Sequence, residues 1–299
     1  MAFRNVIIQN PAYISVKNNQ LIIKTEAEHS LPLEDISAIL LESCQSTITT
    51  AALSLMGQCG CTVFVCDNKH MPCAVLTPFA SHSRASSVLQ EQINLSPVLR
   101  KKLWQSIVSA KIRNQARCLK LCGIAHSYEG LFKMADSVRS GDAGNLEAIA
   151  AQRYFPALFG EKFTRREDNG INSALNYGYA ILRGCIARNL VTYGFQPELG
   201  IHHKSELNAF NLADDLIEAF RPLVDMLVYV CFDVDGELDT IKKRQLFNCL
   251  NLDVLSANQH HSAAYAIERT VQSLSKSIKD NEDRLILPVL LELKQHSYE

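Results

Sequence analysis

The run Gly200 to Pro222, GIHHKSELNAFNLADDLIEAFRP, sets two adjacent histidines ahead of three acids, Asp214, Asp215 and Glu218. Residues three or four apart share one face of a helix, so either aspartate can pair with Glu218. Either pair, joined by one histidine, makes a mixed nitrogen and oxygen donor set. Such a set suits Mn²⁺ or Mg²⁺ better than a thiolate-seeking ion, and the imidazole tilts the choice toward Mn²⁺. Acids near a helix start are also favoured by the helix dipole and need no ligand at all. This stretch alone leaves both readings open.

Two further stretches carry polar groups at helical spacing. GNLEAIAAQRYFPALFG, Gly144 to Gly160, places Glu147 at the start of a short helix that Arg153-Tyr154-Phe155-Pro156 ends. DNGINSALNYGYAILRG, Asp168 to Gly184, sets Asn172 and Asn176 four apart, with Tyr177 and Tyr179 beside them. Charge is also unevenly spread. From Arg84 to Lys120 eight basic residues meet one acid, so this segment carries +7 within a chain of net charge −1. Such asymmetry predicts a basic face able to track phosphates, or a solvated helix surface.

The elements that must position these groups fall into two parts. Residues 1–78 read as a small β domain. Ala12, Ile14 and Val16 alternate with polar neighbours, Asn18-Asn19 signals a turn, and Ile36 to Leu41 is a further strand. Thr49 caps a short helix. Residues 79–87, FASHSRASS, are polar and small and read as a linker. Residues 88–299 read as an all-α domain, with helices expected near 97–122, 145–155, 171–191, 208–230, 263–279 and 284–294. The fold class is therefore α+β and multidomain. Scattered cysteines in a chain of 299 residues act as small buried hydrophobes. Cys59, Cys61 and Cys66 lack a second ligand pair at zinc spacing. No apolar run is long enough to span a bilayer, and the N-terminus lacks a signal segment, which predicts a cytoplasmic protein with no membrane partner.

The order of motifs resembles a known family. Glu147-x4-Gln-Arg-Tyr-Phe, then Asn172-x3-Asn-Tyr-Gly-Tyr-Ala, then Gly200-x2-His, then Asp215-Leu-x-Glu-x-Phe-Arg-Pro is similar to the CRISPR-associated adaptation integrases. The likeness covers the whole chain. Residues 51–67 and the C-terminal LILPVLLELKQHSYE look most like the versions beside type II, single-effector systems.

The resemblance implies a metal-dependent DNA endonuclease and integrase. In such a reaction the 3′-hydroxyl of a short DNA fragment attacks a phosphodiester at a CRISPR repeat. It implies Glu147, His203 and Glu218 as ligands of Mg²⁺ or Mn²⁺, with Asp215 a supporting catalytic group and Asp214 neither. Glu218 stands where some relatives have aspartate. Lys111, Arg113, Arg117, Arg165 and Arg166 are the expected phosphate contacts. Arg221 and Asp225, four apart, are expected to form an ion pair. The implied partners are double-stranded DNA, a second copy of the chain joined through the β domain, and a small second adaptation protein. The RNA-guided effector nuclease is a further one. The competing readings are a non-catalytic DNA-binding scaffold of the same fold and a hydrolase of small phosphoesters.

Overall fold

The computed structural model describes residues 4–77, 82–124, 128–232 and 238–297. They divide into two compact units, 4–77 and 82–297.

The first unit runs β1 (Arg4–Ile8), β2 (Tyr13–Lys17), β3 (Gln20–Lys24), β4 (Glu28–Pro32), β5 (Ile36–Leu41), β6 (Thr47–Ile48), α1 (Thr50–Gln58), β7 (Thr62–Cys66) and β8 (Pro72–Leu76). Asn18 and Asn19 close the β2–β3 hairpin with φ of 50° and 60°. A two-residue turn needs this left-handed pair to match the strand twist, and asparagine tolerates it. The strands form two four-stranded sheets, β4-β3-β2-β6 and β1-β5-β7-β8. Ile14, Leu21 and Ile23 from one sheet, Ile36, Ile39 and Val63 from the other, and Met56 of α1 share one apolar core. Thr49 caps α1 through the Ala52 N–H, as its position predicts. Cys61 and Cys66 are buried while Cys59 is exposed, and none of the three is in a disulfide among the described residues.

The second unit contains α2 (Ala85–Ile93), α3 (Pro97–Leu121), α4 (Tyr128–Asp136), α5 (Leu146–Phe159), α6 (Gly170–Thr192), α7 (Asn211–Ile217), α8 (Arg221–Cys231), α9 (Thr240–Phe247) and α10 (Ala263–Asp280). It is mostly helical, as expected, but not wholly so. The strands β9 (Leu252–Ser256), β10 (Gln259–Ser262) and β11 (Val289–Gln295) form an antiparallel sheet in the order β10-β9-β11. The helix expected over 284–294 is therefore largely β11. Pro288 blocks helix continuation there, and Asn114 of α3 captures the extended chain. Its Nδ2 donates to Pro288 O at 2.9 Å and its Oδ1 accepts from Leu290 N at 3.1 Å. The linker expected over 79–87 is shorter, because α2 takes residues 85–87; residues 79–81 lie outside the described residues.

The expected helix over 208–230 is broken into α7 and α8, with Glu218, Ala219 and Phe220 between them. Pro222 lies in the first turn of α8, where its missing N–H does no harm. Gly178 of α6 permits close approach of α8, since a Cβ there would meet Val224 Cγ1 at 2.5 Å.

Helix α3 is the axis of this unit. Ser96 caps it through the Leu99 N–H and Pro97 opens it. It packs against α4, α5, α8 and β11. Twelve of its 25 residues are buried, Trp104, Lys111 and Asn114 among them. Lys102, Arg113, Arg117 and Lys120, which share one side of the helix by its period, are not among the buried residues, whereas Lys111 is.

Candidate active site

Four segments bring the candidate residues together. Glu147 lies in the first turn of α5. That helix starts after a tight turn in which Asp142 and Asn145 adopt φ of 53° and 51°. The Asp142 carboxylate accepts from Leu146 N at 2.9 Å and Glu147 N at 3.0 Å, satisfying two N–H groups that a helix start leaves without partners. Asp142 thus fixes the backbone that carries Glu147. Sequence reasoning passed over it; an aspartate four residues ahead of an apolar helical run is the signal that could have found it.

Glu218 sits in the break between α7 and α8 and is buried. Its Oε1 accepts from Arg221 Nε at 2.9 Å, and its Oε2 lies 2.5 Å from Lys111 Nζ. The same Lys111 Nζ donates to Glu147 Oε1 at 2.6 Å. One ammonium therefore joins the two expected carboxylate ligands. Burial alone raises the Glu218 carboxyl; the charges of Arg221 and Lys111 outweigh it and hold the group down to about 2. Burial likewise works to lower the Lys111 pKa, but the charges of Glu218 and Glu147 raise it overall. Lys111 is thus a buried, charged member of the cluster rather than an open phosphate contact.

The loop carrying His203 is held by Asp215, whose side chain is fully buried. Its Oδ2 accepts from the backbone N–H of Ile201 and, at 3.0 Å, of His202. Its Oδ1 accepts from His203 N at 3.0 Å and faces His203 Nδ1 at 2.7 Å. A proton on Nδ1 leaves Nε2 free as a ligand. The hydrogen bond to Asp215 is the main reason the His203 pKa is raised, and the charge of Glu218 adds to it. His202 instead stacks flat on Trp104, with ring centroids 4.1 Å apart. The two histidines are thereby set apart: His202 packs, and His203 is held by a carboxylate.

Gly200 makes this loop possible. A Cβ there would overlap the carbonyl oxygen of His203 and lie 2.9 Å from Asp215 Oδ2. Arg100 Nη1 holds the Gly200 carbonyl at 2.8 Å, and Gln92 Nε2 holds the carbonyls of Gln196 and Leu199.

Other expectations resolve differently. Arg221 pairs with Glu218, while Asp225 accepts from Tyr154 OH at 3.0 Å and from Tyr179 OH. The expected Arg221–Asp225 ion pair is replaced because Glu218, three residues before Arg221, is nearer its guanidinium, which lies over the Tyr179 ring at 4.4 Å. Asp214 bonds Arg183 and Asn208. Arg165 bonds Asn172 and Asn176 and lies 5.4 Å from the Tyr179 ring. Arg113 pairs with Asp136 at 2.6 Å, Arg117 lies over Phe132, and Arg166 is exposed. None of these four arginines contacts the carboxylate pair among the described contacts.

Two carboxylates and an imidazole with a free Nε2 match, in kind, the donors of a divalent cation. As arranged, however, no three His, Cys, Asp or Glu side chains among the described residues surround one point closely enough to hold a metal ion. The position between Glu147 and Glu218 holds the Lys111 ammonium.

A strand-rich unit is followed by a mostly helical unit in which Lys111 joins Glu147 and Glu218, and Asp215 holds His203. The chain belongs to the family described as CRISPR associated protein Cas1, whose model matches residues 6–235. It is 43% identical, over the full length of both chains, to a CRISPR-associated endonuclease Cas1 of Neisseria meningitidis serogroup C. Its fold is similar to a casposase solved bound to an integration product, with a TM-score of 0.77 and 18% identity over 95% of this chain and 92% of that one. It is also similar to part of a Cas6-RT-Cas1–Cas2 complex, with a TM-score of 0.69 and 18% identity over 96% of this chain and 36% of that one.

Proposed function

We propose that the protein is a CRISPR-associated endonuclease and integrase that joins the 3′-hydroxyl ends of short DNA fragments to a CRISPR repeat. The observation that carries this reading is the convergence of Glu147 and Glu218 on one buried cationic position, beside a histidine whose Nδ1 is held by Asp215. Full-length likeness to a protein named as an endonuclease supports it, and supports a type II setting.

Glu147, Glu218 and Nε2 of His203 are the groups that would hold Mg²⁺ or Mn²⁺. When bound there, a divalent cation supplies charge neutralisation at the scissile phosphate and a lower pKa for the attacking oxygen. The chain's own residues do the positioning. Asp142 fixes the Glu147 backbone, Asp215 sets the His203 ring and tautomer, and Arg221 clamps Glu218 from the side away from Lys111. Arg221 and Lys111 keep Glu218 ionised throughout the physiological range. Arg113, Arg117, Arg165 and Arg166 are proposed to contact backbone phosphates, which suits an enzyme accepting many sequences. The proposed partners are duplex DNA, a second copy of the chain through its strand-rich unit, a Cas2-like adaptation protein and the RNA-guided effector nuclease.

The test is integration of a labelled DNA fragment into a repeat-bearing plasmid with Mn²⁺, Mg²⁺ or a chelator. Strand transfer is expected with either ion and not with the chelator. Glu147→Gln, His203→Ala and Glu218→Gln are expected to abolish it while duplex binding persists. Normal integration by His203→Ala, with His202→Ala inactive, overturns the assignment.

A further inference from the structure

Lys111 belongs to the central helix of its unit, yet among the described residues its ammonium alone touches both expected ligand carboxylates. Its Nζ is 2.6 Å from Glu147 Oε1 and 2.5 Å from Glu218 Oε2. The other oxygen of Glu218 is already held by Arg221. A divalent ion drawn to Glu218 therefore meets a carboxylate each of whose oxygens already faces a cation. An ammonium and a dication on one buried carboxylate repel each other strongly, because the repulsion there is only weakly screened.

Charge balance points the same way. Glu147 and Glu218 are matched by Lys111 and Arg221, and the Asp215 carboxylate behind a neutral His203 adds one negative charge. Adding a dication while keeping both bases would turn that balance positive in a region where Glu218 and Lys111 have side-chain exposures of 6% and 9%, whereas release of Lys111 leaves it neutral. Glu147 is the open side of the cluster, with 26% exposure. Of the two bases, Arg221 is locked by the Tyr179 ring and by Glu218. Lys111, on a flexible four-carbon stem beside the open carboxylate, is the one able to leave.

We propose that Lys111 is a built-in competitor for the divalent ion: its ammonium holds the position between Glu147 and Glu218, and the ion binds by displacing it toward the open side at Glu147. Lys111 thereby sets how tightly the ion is held. The inference rests on the reading that Glu147, Glu218 and His203 are the ligands, and it adds a residue that lowers their affinity. It also accounts for a lysine on a buried helix face, where an unpaired charge would be strongly unfavourable.

The test measures Mn²⁺ binding to the full chain without DNA, by the electron paramagnetic resonance signal of free Mn²⁺, alongside thermal unfolding with and without the ion. Lys111→Met is expected to bind Mn²⁺ at least about tenfold more tightly than the wild type, since a competing cation is removed. With chelator its unfolding midpoint should fall below that of the wild type, and Mn²⁺ should raise it by more. In the unmutated protein, acylation of Lys111 by an amine-reactive reagent, read by mass spectrometry, should be slow with chelator and faster with saturating Mn²⁺. That measurement decides the matter if Lys111→Met does not fold. Binding by Lys111→Met no tighter than wild type, or Lys111 labelling unchanged by Mn²⁺, overturns the proposal. Failure of the underlying ligand assignment has a different signature: Glu147→Gln in an otherwise unmutated chain would bind Mn²⁺ as well as wild type.

Discussion

Replacing Asp215 by asparagine separates a group that holds the site from a group that ligates. The carboxylate accepts from three consecutive backbone N–H groups, at Ile201, His202 and His203, and from His203 Nδ1. It is fully buried, so water cannot take over any of these roles. An amide has one acceptor and one donor and can face either way. With its NH₂ toward Ile201 and His202, two backbone donors lose a charged acceptor. At about 1.5–3 kcal/mol for each such bond, less what the rearranged loop recovers, the loss is about 3 kcal/mol. In a domain of this size each kcal/mol moves the unfolding midpoint by about 2–4 °C, so a fall of about 6–12 °C is expected. With its NH₂ toward His203, one backbone bond is lost and Nδ1 becomes the acceptor. The ring proton then moves to Nε2, the nitrogen needed as ligand. Either orientation weakens Mn²⁺ binding, by about 10–100-fold if Asp215 acts through His203. Thermal unfolding, Mn²⁺ titration and ¹⁵N chemical shifts of the histidine ring read the two outcomes separately. An Asp215→Asn protein with an unchanged midpoint and unchanged Mn²⁺ affinity would refute the role assigned here.

Gly200→Ala forces a Cβ against the His203 carbonyl and Asp215, so it should cost about 1–3 kcal/mol and lose strand transfer, while Gly57→Ala, with nothing within 4 Å, should be neutral or slightly stabilising. Thermal unfolding of the two variants checks this, and equal midpoints would count against the packing described. Burial pushes the Asp225 carboxyl from 3.8 up to about 6, against the pull of the Tyr179 and Tyr154 hydroxyls. Between about pH 4 and 6 the folded chain thus keeps a proton that the unfolded chain releases, so this group makes the fold less stable as pH rises, by about 3 kcal/mol in all. Asp225→Asn should remove that decline and be at least as stable as wild type at pH 7.5; parallel stability curves for the two proteins from pH 4 to 6.5 would contradict it. The depressed Glu218 acts in a lower window, its stabilisation being lost as pH falls from about 4.5 toward 2. Arg113→Ala with Arg117→Ala should reduce the salt slope of duplex binding by about 1–2, as expected for two lost phosphate contacts; an unchanged slope removes both from the DNA path.

What could be read from the sequence, and what could not, follows from how local each signal is. The Asn18-Asn19 hairpin and the Thr49 cap are written in two to four residues, and both appear where expected. β11 was misjudged because LILPVLLELK is apolar nearly throughout, and a short apolar run does not distinguish a strand from a buried helix. Its strand state depends on Asn114, more than 170 residues away in sequence. Glu147, His203 and Glu218 are legible through motif order, whereas Trp104 and Arg100, which support the loop before His203 through His202 and the Gly200 carbonyl, carry no motif of their own.

Lys111 is the instructive case, because its signal was present and was read as something else. Among the basic residues of the 84–120 segment it looked like one more phosphate contact. Yet Trp104, Val108, Lys111, Gln115 and Cys118 recur at intervals of four and three residues, the spacing of a single helix stripe, and all five are buried. A lysine on a core stripe must meet opposite charge, or the fold carries an uncompensated buried ion. The sequence supplied two acids with no assigned counter-charge, Glu147 and Glu218, and the buried lysine is that counter-charge. The same argument separates the arginines: Arg113 and Arg117, partly exposed on the rim of α3, keep the freedom to meet a phosphate that Lys111 lacks while it bridges two carboxylates.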